Sequence, residues 1–148
     1  MIALIQKVTE ASVSSKGYKT ARIGNGFVVF LGVAATDTTQ DTQKLASKLL
    51  KLRLFEDSAG KMNLPVTEID GEILVVSQFT LLADIKSGNR PSFHLAAEKV
   101  KAEKFYELFV AKLMLSGLKV KTGFFQTTMK VKLINNGPLT IWLDSKKL

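Results

Sequence analysis

The sequence predicts a single α+β domain: a curved, mainly antiparallel, barrel-like sheet carrying two helices. Three observations lead there. Several short runs are alternately or continuously apolar, as half-buried and fully buried strands are. Only two stretches place apolar residues at helical three- and four-residue spacing. The 148 residues contain no repeat, low-complexity tract or linker, so one core over residues 1–148 is expected.

Residues 2–14 alternate as a long strand, and Ser14-Ser15-Lys16-Gly17 makes a turn. Residues 18–23 and 26–33 read as two more strands, with Gly24-Asn25-Gly26 as a hairpin turn between them. The second is apolar throughout, which predicts burial on both faces. Its Gly-x-Gly lacks the continuation of a nucleotide-binding fingerprint. Residues 38–41 offer caps for a helix reaching about Arg53, with Leu45, Leu49 and Leu52 on one face. Residues 54–57 form a short strand, 57–60 a turn, and Pro65 and Asp70-Gly71 bound an irregular or edge segment.

Residues 72–82 read as a strong strand that turns polar at Ser77, Gln78 and Thr80. A polar loop follows over 83–91. Ser92 then offers a cap for a second helix that reaches Ser116 and stops at Gly117. Its expected buried face is Phe93, Ala97, Val100, Phe105, Leu108, Phe109 and Leu113. Residues 118–125 are expected to pair with 129–134, and 139–143 make the last strand.

The net charge is +8, and all the cations but Arg22, Arg53 and Arg90 are lysine. An acidic polymer such as nucleic acid is one partner for such a chain; an evenly solvated lysine surface is the other reading, and charge alone leaves both open. No apolar run approaches the ~18 residues of a membrane span, and Met1-Ile2-Ala3-Leu4-Ile5-Gln6-Lys7 lacks a signal peptide's layout. The absence of Cys removes disulfide and thiolate chemistry and fits a reducing cytosol. With His94 the lone histidine, no Cys/His zinc site can form, and a Ser-His-Asp triad would have to be built on His94. Glu68, Asp70 and Glu72 read as solvated positions, and no Walker loop is present. No metal site and no cofactor are expected, so an enzyme here works without the usual side-chain machinery.

Two stretches remain. Ser77-Gln78-Phe79-Thr80-Leu81 is either a strand end meeting solvent or a rim where hydroxyl, amide and backbone N–H address a ligand. Asn135-Asn136-Gly137-Pro138-Leu139-Thr140 breaks two apolar runs, either as an ordinary turn or as a rigid backbone element aimed at a ligand.

Together these stretches resemble the two signature motifs of the D-aminoacyl-tRNA deacylases. The resemblance extends through Ile2-Ala3-Leu4-Ile5-Gln6, Gly60-Lys61-Met62-Asn63-Leu64, Gly88-x-Arg90-Pro91-Ser92-Phe93 and Trp142-Leu143. It implies a cytoplasmic homodimer that hydrolyses the ester joining a D-amino acid to the 3′ end of tRNA, and that also clears glycine misattached to tRNA for alanine. It implies catalytic roles for Ser77, Gln78, Phe79 and Thr80, with the amides of Phe79 and Thr80 as oxyanion donors. Substrate binding and chiral selection fall to Gly137, Pro138, Phe125, Met129, Leu81 and Asn135, the Gly-Pro element being cis and supplied by the partner subunit. The chain departs from the family pattern at Lys7, where Arg is usual, and at Gln126, Thr127 and Thr128, where small residues are common after Phe125. Asn136 and Leu139 are milder departures. Two alternatives stand beside this reading. One is a non-catalytic nucleic-acid binder using Lys99, Lys101, Lys104, Lys112, Lys119, Lys121, Lys130 and Lys132. The other is an editing hydrolase for a different mischarged tRNA.

Overall fold

The computed structural model describes residues 1–86 and 88–148. In chain order the elements are β1 (Ile2–Ser14), β2 (Ala21–Ile23), β3 (Gly26–Gly32), α1 (Thr39–Lys51), β4 (Arg53–Glu56), β5 (Met62–Pro65), β6 (Glu72–Ser77), α2 (Lys99–Met114), β7 (Val120–Thr122) and β8 (Lys130–Asp144). Short 3-10 turns occupy Phe79–Leu82 and Ser145–Lys147.

The sheet is organised on β1. One edge pairs antiparallel with β3 and then β2; the other pairs antiparallel with β8. Beyond β3 the sheet continues in parallel through β6 to β7, so it is mixed, antiparallel around β1. With β2 and β3 along one edge of β1, β8 along the other and β6 and β7 beyond β3, the six strands curl into a nearly barrel-shaped layer. β4 and β5 form a separate antiparallel pair; β5 ends at Pro65, and residues 66–70 of the segment expected to be irregular or an edge make turns.

Gly24-Asn25-Gly26 is a kink and not the expected hairpin turn. Val8 faces Gly26 and Ala11 faces Ile23 in one unbroken register, so β2 and β3 are two halves of one arm along β1. The reversal lies earlier, between β1 and β2, around Gly17 at φ +85. The glycine at 26 answers to a distant neighbour: a Cβ there would fall 1.8 Å from the Glu72 carbonyl oxygen. Bare backbone lets β6 enter, with the Glu72 N–H donating to the Asn25 carbonyl at 2.9 Å. The Glu72 carboxylate accepts the Gly24 N–H and pairs with Lys119.

Both faces of the sheet are covered. On one, Ala3, Ile5, Phe27, Val29, Leu31, Ile73 and Val75 pack against Leu45 and Leu49 of α1 and Phe109 and Leu113 of α2. On the other, Val8, Ala11, Val13, Ile23, Val28, Leu74 and Val76 form a second cluster. β1 crosses between them at Lys7 and Val8, which are both buried.

α1 starts with a capping box made by Thr38 and Asp41. α2 starts at Lys99 after Glu98, not at Ser92. The residues before it are held out of a helix by other backbone bonds: Asp84 and Ser92 exchange two, Leu95 accepts from Ala35, and Ala97 donates to Val33. Phe93, His94 and Ala97 therefore lie outside the helix. Val100 is 80% exposed, and the buried face is Tyr106, Phe109, Val110 and Leu113. Gly117, at φ +82, follows the helix end as expected. Residues 118–125 do not pair with 129–134; β7 adds to β6.

The Met1 ammonium is buried against Asp37 at 2.5 Å and Ser145 Oγ at 2.7 Å. Ser145 in turn donates to Asp41, and Lys146 Nζ reaches Asp41 at 2.7 Å. Burial pushes the Asp41 carboxyl up, but bonds from Lys146, Thr38 and Ser145 outweigh it and hold the group well below the usual carboxylate range.

Candidate active site

The expected strand 72–82 stops at Ser77. The Gln78 N–H makes a last bond to the Leu31 carbonyl of β3 at 2.8 Å, and the chain then winds into one 3-10 turn. Leu81 N–H donates to Gln78 and Ala83 N–H to Thr80. Among the described residues nothing accepts the N–H of Phe79 or Thr80. These are the unpaired donors any helical start leaves, set at the end of a buried strand.

Beside them lies a cavity of ≈ 280 Å³. Leu31, Val33, Ala97 and Ala102 supply apolar lining, and Tyr106 and Phe125 supply two rings with centroids 5.8 Å apart. The polar lining is Ser77, Gln78, Gln126 and Lys99, beside the half-exposed Phe79. Tyr106 spends its hydroxyl on the Val75 carbonyl at 2.8 Å, and burial pushes its phenol up, so it stands as a neutral wall. The Gln78 side-chain amide bonds the Thr80 hydroxyl. An amide cannot take the hydroxyl proton, so this pair orients Thr80 without activating it as a nucleophile. Phe79 meets Phe93 edge-on at 4.9 Å. His94 is occupied with Ser92 at 2.9 Å.

The Asn-Asn-Gly-Pro stretch does not separate two strands. β8 continues through it, and between Gln6↔Thr140 and Val8↔Asn135 four residues bulge opposite the single residue Lys7. The Gly137–Pro138 peptide is cis, and both residues are exposed. Asn135 spans the bulge: its Oδ1 accepts the Leu139 N–H at 3.0 Å and its Nδ2 donates to Thr140 Oγ1 at 3.0 Å. Gln6 Nε2 donates to the same hydroxyl at 3.1 Å. Lys7 is buried under the bulge with its ammonium 5.2 Å from the Phe55 ring centre.

Of the residues singled out from sequence, Ser77, Gln78, Phe79 and Phe125 come together around the cavity, and Thr80 is tied to Gln78. Met129 and Leu81 do not line it. Met129 Sδ accepts the Phe124 N–H at 3.2 Å, supporting the turn that presents Phe125, and Leu81 packs near Gly32. Asn135, Gly137 and Pro138 do not line this cavity in their own chain. The sequence reading passed over Tyr106, although its spacing to Phe109, Val110 and Leu113 marks one helix face. No group of three His, Cys, Asp or Glu able to hold a metal occurs among the described residues. No helix among them is long and apolar enough to cross a membrane.

Comparison with known proteins agrees over nearly the whole chain. The pattern of the D-Tyr-tRNA(Tyr) deacylase family matches residues 4–144. D-aminoacyl-tRNA deacylases of Anaeromyxobacter dehalogenans and Thermotoga petrophila are each 51% identical over 148 residues, covering 100% of this chain and 99% of theirs. Among solved structures, one described as the c-Myc DNA unwinding element binding protein superposes with a TM-score of 0.90 at 41% identity, covering 97% of this chain and 98% of the other. A probable eukaryotic D-amino acid tRNA deacylase shares the fold, with a TM-score of 0.84 at 18% identity over 97% of this chain and 98% of its own. The chain belongs to the D-Tyr-tRNA(Tyr) deacylase family, and so to the hydrolases.

Proposed function

We propose that this protein hydrolyses the ester of D-aminoacyl-tRNA, releasing free amino acid and tRNA, in the cytoplasm and as a homodimer. The observation that carries the reading is the pair of unpaired amides, Phe79 and Thr80, beside an aromatic-walled cavity. An aminoacyl ester is already labile, so positioning it and stabilising the oxyanion suffices without a side-chain nucleophile. The terminal adenosine fits a cavity walled by Tyr106 and Phe125, with Gln78 and Ser77 at the ribose. Water attacks the ester carbonyl, and the charge that develops on its oxygen falls to the two N–H groups. Family membership and the lack of a base beside Thr80 support this order of events.

In the same reading, Gly137 and Pro138 are the chiral gate of the partner's site. Rejecting the L form needs a solid group where its side chain would project, since pocket fit alone separates similar substrates by only about 1–3 kcal/mol. Support comes from the exposed bulge, its Asn135 brace and its separation from its own chain's cavity. Glycine carries no side chain to exclude, so glycyl-tRNA(Ala) is a second substrate. The test is release of D-tyrosine, L-tyrosine and glycine from charged tRNA. Hydrolysis of the D-tyrosyl and glycyl esters with the L ester spared is expected; equal rates for D and L would remove the gate. A second reading, a nucleic-acid binder without hydrolysis, is favoured only by the description of the 41%-identical structure. It predicts tRNA binding with no release of any amino acid.

A further inference from the structure

We propose that Lys99 is a positioning residue that holds the 5′-phosphate of the substrate's terminal nucleotide at the rim of the cavity. The inference rests on the reading of that cavity as the adenosine site. Among the described residues, Lys99 is the one charged residue lining it. It is exposed, and among the described residues no carboxylate pairs with it. Lys101, two residues along α2, is committed elsewhere: its Nζ donates to the Ala35 carbonyl at 2.5 Å and lies 5.5 Å from the Phe105 ring centre.

The chemistry of the substrate fixes where a phosphate must go. An aminoacylated terminal nucleotide carries its ester on the 2′ or 3′ side of the ribose and its phosphate on C5′, across the ring. With the ester at the Phe79 and Thr80 amides and the base between apolar walls, C5′ faces the remaining polar lining. That lining is Gln126 and Lys99, and only Lys99 complements an anion. A lysine ammonium serves as a point charge for phosphate without the planar fork of arginine. It acts on binding and takes no part in the bond changes at the ester.

The experiment compares D-tyrosyl esters of adenosine and of adenosine 5′-phosphate in wild type, Lys99→Ala and Lys99→Arg. Wild type is expected to favour the phosphorylated ester in kcat/KM by up to about fivefold, the range of an exposed ion pair. The preference should reside in KM, collapse in Lys99→Ala and return in Lys99→Arg. With whole tRNA, Lys99→Ala should also shallow the dependence of log affinity on log salt by about 0.7. An identical preference in wild type and Lys99→Ala would overturn the proposal. Calorimetric binding of adenosine 5′-phosphate against adenosine, which needs no hydrolysis, separates the two readings. Absence of hydrolysis with a Lys99-dependent preference for the phosphate refutes the activity alone. Hydrolysis without that preference refutes the role of Lys99 alone.

Discussion

The side-chain carbonyl of Asn135 accepts the backbone N–H of Leu139 at 3.0 Å, closing a ring around Gly137 and Pro138. With the amide's other end on Thr140, one residue fixes both sides of the bulge. Asn135→Ala should therefore cost about 1 kcal/mol of stability, the net worth of such a bond. It should also lower the ratio of D to L hydrolysis, because the gate loses its brace. Asn135→Asp, which keeps an acceptor for Leu139, should retain more of that ratio. Thermal unfolding and paired rate measurements read the two effects; an unchanged ratio in folded Asn135→Ala would leave the bulge without a role in chirality.

Gly137 tests the bulge from the backbone. At φ +130, an added Cβ would fall 2.9 Å from the Leu139 nitrogen. Gly137→Ala should cost about 1–3 kcal/mol, the range of strained backbone positions, and depress hydrolysis of both enantiomers. If each bulge serves the other subunit, a mixed dimer of Gly137→Ala and Gln78→Ala chains contains one site with both lesions and one with neither. About half of wild-type activity should then survive, as two-fold symmetry requires. Activity near that of the homodimeric mutants would place the bulge and Gln78 in the same chain's site.

Thr80 separates positioning from covalent catalysis. Its hydroxyl is tied to an amide, while its N–H is the group assigned to the oxyanion. Thr80→Val removes the first and keeps the second, so the rate should fall by about tenfold or less. Loss of a true nucleophile would cost about a thousandfold or more. Single-turnover hydrolysis of D-tyrosyl-tRNA decides between them.

Acid stability should report Asp41. Its folded carboxyl titrates below the ordinary value of 3.8, so its interactions contribute fully above that value and are lost as pH falls through the folded one. Unfolding midpoints should therefore drop progressively below about pH 4. Asp41→Asn should lower stability at neutral pH and flatten this acid dependence. Equal acid slopes in wild type and mutant would show that other carboxylates dominate.

Local patterns were legible where the cause was local. The alternation of β1, the apolar run of β3 and the capped period of α1 all appear near their expected positions. Gly26 signalled a special backbone but not its reason, which is the Glu72 carbonyl of a strand far along the chain. Ser92 resembles a helix cap, yet the segment it opens is held out of a helix by Asp84 and by Val33 and Ala35 just beyond β3, partners no local pattern names. At the site, Ser77 to Thr80 and Gly137-Pro138 were found through resemblance. Spacing alone also left open whether each was a turn or a ligand surface. Tyr106 was missed because its hydroxyl is satisfied by a β6 carbonyl that only the folded chain brings near.

The pairing of β1 along both edges has a dynamic consequence. Opening it exposes both apolar clusters at once, so its amide hydrogens should exchange only when the whole molecule unfolds. The stretch from Leu95 to Ala97 is tied to the chain beyond β3 by few backbone bonds, Ala35 with Leu95 and Ala97 with Val33. The amides of Phe79 and Thr80, which lack partners among the described residues, should exchange early. The donors assigned to the reaction thus sit just past β6, at the edge of a sheet whose central strand opens last. Filling the cavity with adenosine should slow exchange at Phe79 and Thr80 while leaving β1 at its global limit.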